Sequence, residues 1–124
     1  MNNTIDIYNE KMQRTAFIKW YDLNIGSEKS ARTLSTAINK THLRNSGINC
    51  FSINNYCSLK SELGDRLDFF QNRDCDYSIM NDIFEFEANT RKDNLKIGIR
   101  YYIEFLKTID EINNINLYTN INKI

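Results

Sequence analysis

Two rows of cations carry the chemistry most readily drawn from this chain. Lys92, Lys96 and Arg100 recur at steps of four, so on a helix they share one face at intervals of one turn. Lys29, Arg32, Lys40 and Arg44 form a second row, with Thr33 and Thr36 among them as hydroxyl donors. Cations one turn apart can follow a line of phosphates, and each contact adds salt-dependent affinity. Contact with a base edge would fall to Thr33, Thr36 or Asn94. The competing account of each row is an ordinary solvated helix face.

Other chemistries find less support. His42 is the single histidine, and with Cys50, Cys57 and Cys75 it makes a nominal zinc set. The spacing does not match paired knuckles, because no C-x2-C occurs. His42 near the end of a second helix is more simply a partner for the negative end of the helix dipole. The carboxylates Asp74, Asp76, Asp82, Glu85 and Glu87 are not accompanied by the lysine that a metal-dependent nuclease site requires. They read as a solvated acidic face, or as a surface for a basic partner. Only four glycines are present, and none forms a phosphate-cradling or dinucleotide motif. The expectation is a protein that is not an enzyme, with no cofactor, no metal and no catalytic residue.

The bulk composition belongs to one ordinary globular domain. The chain has 124 residues, 41% hydrophobic and 26% charged, enough to bury a core without staples. The three cysteines are an odd number, and in a reducing compartment they read as small apolar packing residues. No apolar run approaches the ~18 residues a membrane span needs, and Met1 to Asp6 lacks the basic and apolar regions of a secretory signal. The reading is cytoplasmic, with no membrane partner. The formal net charge is +0, so whole-molecule attraction to polyanions is absent. The charge is nevertheless segregated. Thr90 to Lys107 holds five basic residues against two acids, Ser27 to Ser46 four against one, and Lys60 to Thr90 three against eight.

The elements that must position these residues are helical. The chain contains no proline, which removes the strongest helix breaker. A first helix is predicted from Ile7 to Leu23, with Met12, Ala16, Phe17, Trp20 and Leu23 as its apolar stripe. Asn24 and Gly26 end it. A second helix starts among the N-cap candidates Ser27 to Ser30, buries Ala31, Leu34, Ala37, Ile38 and Thr41, and ends at Asn45 before Gly47. Ile48 to Asn55 is either a short extended connector or an apolar plug. Tyr56, Leu59, Leu63, Leu67 and Phe70 predict a third helix, weakened at Gly64. Gln71 to Tyr77 reads as an acidic loop. Ser78 to Glu87 suits a short helix, with a brief extended piece at Phe84 to Glu87 as the competing form. The last helix runs from Thr90 to Ile112, capped by Thr90 and Asp93, with Leu95, Ile99, Tyr102, Ile103, Leu106 and Ile109 on one face. Residues 1–112 then form a single helical domain and residues 113–124 a low-complexity, frayed tail. Adjacent aromatics, Trp20-Tyr21 and Tyr101-Tyr102, must each send one member off the main stripe. Tyr21, Tyr101 and Phe105 therefore either pack between helices or stand exposed for stacking.

Three of these segments also occur in a familiar order. Phe17-Ile18-Lys19-Trp20-Tyr21 is followed by Ser27-Glu28-Lys29-Ser30-Ala31-Arg32-Thr33-Leu34, and the closing helix carries Asn94-Leu95-Lys96-Ile97-Gly98-Ile99-Arg100-Tyr101-Tyr102-Ile103-Glu104-Phe105-Leu106. The order resembles the SAM-like, core-binding helical domain of tyrosine recombinases. It resembles still more the small N-terminal helical domains of some restriction endonucleases. The likeness extends in outline from Met12 to Lys107 and implies a DNA-gripping domain without catalytic residues. Lys29, Arg32, Thr33, Lys92, Lys96 and Arg100 would inherit the DNA-facing role. The reading is thus an all-α orthogonal bundle of four to five helices acting as a non-catalytic nucleic-acid-binding module, for DNA before RNA. The alternative is a protein-binding factor of a phage or mobile element that inhibits a host defence complex, with Asp74 to Glu87 as its acidic surface. The nucleic-acid reading requires the second and closing helices to lie side by side and turn their cations the same way.

Overall fold

In a computed structural model, the backbone is described for residues 2–71 and 78–122, and the side chains for residues 10–71 and 78–112. The predicted loop at Gln71 to Tyr77 falls almost wholly outside the described residues. The protein is an all-α small bundle carrying one two-stranded ladder.

Helix α1 (Asn2–Asn24) buries Phe17, Ile18 and Tyr21 and half-buries Trp20. Phe17 lies 5.6–6.2 Å, centroid to centroid, from the rings of Trp20, Tyr21, Phe51, Tyr102 and Phe105. This corrects the predicted stripe. Met12 and Ala16 are exposed, and Leu23 is 82% exposed. Aromatic side chains bury the larger area, so α1 turns its Phe17–Tyr21 side inward and leaves the aliphatic line outside. The helix ends where Asn24 Nδ2 donates to Trp20 O at 2.8 Å and the Ile25 and Gly26 amides donate to Tyr21 O.

Helix α2 (Glu28–Asn39) starts at Ser27, whose hydroxyl accepts from the Ser30 amide at 3.2 Å. It stops six residues before the predicted Asn45. The Thr41 hydroxyl donates to Ala37 O at 2.8 Å, and Asn49 Nδ2 donates to both Ile38 O and Thr41 O at 2.7 Å. These side chains satisfy carbonyls that another helical turn would otherwise use. Strand β1 (Thr41–Leu43) follows instead, pairing antiparallel with β2 (Phe84–Phe86) in the register Thr41↔Phe86, His42↔Glu85, Leu43↔Phe84. His42 therefore stands opposite Glu85, not at a helix end.

Asn49 also caps a 3₁₀ turn at Cys50–Ser52, accepting from the Phe51 amide at 2.8 Å. The predicted third helix is divided into α3 (Tyr56–Leu63) and α4 (Leu67–Gln71), joined by a 3₁₀ turn. Gly64 makes the break at φ +56°, a region that disfavours side chains. Helix α5 (Ser78–Ile83) leads directly into β2, so both forms weighed for that segment occur, one after the other.

Helix α6 (Lys92–Asn122) is the spine. It buries Leu95, Ile99, Tyr102, Ile103, Phe105 and Leu106 and packs on α1, α2, α3 and α4. Five of the six predicted stripe residues are buried and Ile109 is half-buried. Both ends differ from expectation. Thr90 does not cap the helix: it is buried, its hydroxyl has no hydrogen-bond partner among the described residues, and Asp93 Oδ1 accepts from the Asn94 amide instead. The backbone of the predicted frayed tail is helical to Asn122. Among the described residues, no helix is long and apolar enough to cross a membrane.

Candidate nucleic-acid interface

The second and closing helices do lie side by side. Gly98 makes this possible. A Cβ there would meet Ile38 Cδ1 at 3.1 Å and Leu34 O at 3.2 Å. Two of the three α6 cations, Lys92 and Lys96, however, do not share a side with those of α2. Lys96 and Arg100 each stand two residues from Gly98, about 200° round the helix. The Lys92 ammonium lies 5.4 Å over the Phe86 ring of β2, and the Lys96 ammonium 4.3 Å over the Phe69 ring of α4. Lys96 is only 7% exposed. The Arg100 guanidinium sits 5.9 Å from the Tyr101 ring. The expectation of one shared cationic surface is therefore corrected. Lys92 and Lys96 face the α4–β2 side, and Lys96 is buried there.

Arg44 leaves the other row for a similar reason. It follows β1, where its Nε donates to Asn81 O at 2.7 Å and its Nη1 pairs with Glu85 at 3.2 Å. What remains on α2 is coherent. Ala31, Leu34, Ser35, Ala37 and Ile38 face inward. Lys29, Arg32, Thr33 and Thr36 are exposed, and Lys40 is half-buried at the helix C-cap. Among the described residues, neither Lys29 nor Lys40 has an ion-pair partner. Arg32 pairs with Glu28 at 2.8 Å, both side chains being more than half exposed, and such a surface pair is easily exchanged. The hydroxyls of Thr33 and Thr36 donate to Lys29 O and Arg32 O. Toward a ligand they thus present lone pairs before protons, which corrects their expected role as donors.

A cleft of about 310 Å³ opens beside this ridge, lined by Tyr21, Lys29, Ser30, Thr33, Leu34, Asn94 and Ile97. Asn94, foreseen as a base contact, belongs to it. Ser30 and Ile97 were not foreseen as site residues, and Gly98 is the one sequence signal, since glycine inside a helix pattern marks close approach. Of the weighed aromatics, Tyr21 and Phe105 are buried. Tyr101 is half-buried with its ring edge-on to Tyr21 at 5.3 Å. These are core contacts.

The acidic surface is partly neutralised. Asp82 lies 4.0 Å from Arg66, and Glu85 belongs to Arg44. Asp74, Asp76 and Cys75 fall outside the described residues. Cys50 is buried, whereas Cys57 is exposed, against its expected packing role. Another groove, of about 370 Å³, runs along the outer side of α1 between Lys11, Met12, Thr15, Ala16 and Lys19.

Comparison of the chain with known protein families, with curated proteins and with solved structures finds no match.

Proposed function

We propose that the protein is a non-catalytic module that binds duplex nucleic acid, DNA before RNA, through the exposed face of α2. The carrying observation is that Lys29, Arg32, Thr33, Thr36 and Lys40 share that face while its only acid, Glu28, is engaged by Arg32. Lys29 and Lys40 stand eleven residues apart, about 16 Å along the helix axis. A B-form major groove is about 12 Å wide. A helix lying in that groove would bring its end lysines to phosphates of both strands and its threonines to base edges. The deep, narrow major groove of A-form RNA excludes such a helix. The reading agrees with the DNA-gripping role that the recombinase and endonuclease resemblance implies, but it drops Lys92, Lys96, Arg100 and Arg44.

The test is fluorescence anisotropy on a labelled DNA duplex at low salt. The double variant Lys29→Glu/Lys40→Glu should lose binding while keeping its circular dichroism spectrum. Wild-type protein with no affinity for duplex at low salt would overturn the proposal.

A second reading is a protein-binding factor, such as a phage or mobile-element inhibitor of a defence complex. It is favoured by the uncovered line of Met12, Ala16 and Leu23 on α1, since aliphatic residues aligned on one side of a helix suit a partner surface.

A further inference from the structure

We propose that the cleft between α2 and α6 receives a single unstacked nucleobase from the duplex held on α2. This inference rests on the duplex-binding reading and adds to it a place where one base is read outside the stack. The first support is position. Lys29 and Thr33 belong both to the solvent-facing ridge of α2 and to the cleft wall. A nucleotide whose phosphate meets Lys29 therefore has the cleft within the reach of its own base.

The second support is the lining. Leu34 and Ile97 give apolar walls and Tyr21 the base of an aromatic pair with Tyr101, surfaces on which a flat ring loses little by leaving water. Ile97 is 44% exposed although it is a large aliphatic residue on the spine of the fold. Uncommitted polar groups converge on the same space. The Asn94 carboxamide makes no hydrogen bond among the described residues, although the backbone amide of Asn94 donates to Asp93 Oδ1. Ser30 accepts a hydrogen bond from Ser27, which leaves its own hydroxyl proton unspent. A carboxamide presents one acceptor beside donors, the complement of a base edge, and adenine in particular. The cleft volume of about 310 Å³ lies at the small end of ligand sites.

A flipped base must first leave its pair, and a mismatched base leaves most readily. The experiment uses a short DNA duplex with 2-aminopurine, an adenine analogue that brightens on unstacking, placed opposite cytosine. A dye at the duplex end reports binding by anisotropy. Wild-type protein should raise both signals. Ile97→Trp fills the cleft mouth at an exposed position. It should bind with an unchanged salt dependence and leave 2-aminopurine emission at the free-duplex value. Asn94→Ala should reduce the emission rise with little change in anisotropy. Wild-type binding without an emission rise, or an undiminished rise with Ile97→Trp, overturns the base-pocket inference alone. Absence of any anisotropy change overturns the duplex reading and this inference together.

Discussion

The ammonium of Lys96 rests 4.3 Å from the centroid of the Phe69 ring, in a site where the lysine is only 7% exposed. No carboxylate lies within ion-pair distance among the described residues. Among the described residues the ring quadrupole is the compensation recorded for this charge, an interaction worth about 2 kcal/mol in such surroundings. A residue that looked like a ligand contact is a structural tie between α6 and α4.

Lys96→Ala should lower stability by about 2 kcal/mol, and Lys96→Glu by more, because a carboxylate would face the negative ring. A double-mutant cycle with Phe69→Leu in urea unfolding should return a coupling of about 1–2 kcal/mol. Additive effects would remove the tie. Duplex affinity per folded molecule should not change in Lys96→Ala.

The α2 face makes a quantitative claim about salt. Three cations, Lys29, Arg32 and Lys40, should give a slope of log affinity against log salt near about −2.7 for B-form DNA. Lys40→Ala should reduce that slope by about 1. Arg100→Ala should leave it in place, and an equal loss from Arg100→Ala would return α6 to the interface.

Gly98→Ala pits two effects against each other. Alanine favours the helix by about 1 kcal/mol. Its methyl would lie 3.2 Å from the Leu34 carbonyl oxygen, which belongs to the backbone and yields little. Overpacking of this kind costs about 1–3 kcal/mol, so net destabilisation is expected, and Gly98→Val should be worse. Thermal melts of the three proteins check the order.

Alkali should loosen the core. Burial pushes the Cys50 thiol up to about 12 from an ordinary 9.0, with the Glu62 charge adding to the shift. Burial raises the Tyr102 phenol as well. A group whose folded value is raised contributes stability that is complete below its unfolded value and is lost as pH climbs toward the folded one. The urea midpoint should therefore hold at neutral pH and fall once pH passes the unfolded thiol value of 9.0. Cys50→Ala should make the early part of that fall shallower; an identical fall in the variant would exclude the thiol as its cause. Peptide mapping after brief alkylation at neutral pH should find Cys57 modified before Cys50.

Much of this architecture is legible in local patterns. The stripe from Leu95 to Leu106 is long, regular and apolar, so periodicity alone places it inward. The outward face of α2 reads equally well, because its inward residues are small or aliphatic and its outward ones polar. The failures are non-local. Lys96 is buried while its neighbour Ile97 is exposed, and the Phe69 ring, 27 positions away in the chain, receives the buried ammonium. The end of α2 depends on Asn49 reaching back to Ile38 and Thr41. In α1, Met12 and Ala16 compete with Phe17 and Tyr21 for the inner side, and the outcome follows from rings supplied by Phe51, Tyr102 and Phe105.

Because α6 supplies six of the buried apolar side chains and follows the helices it packs against, synthesis itself is constrained. While α6 remains inside the ribosomal exit tunnel, Phe17 and Phe51 have no Tyr102 to meet, and the earlier helices emerge with their greasy sides bare. Until α6 emerges the core cannot close, and the nascent chain is a natural client for chaperones.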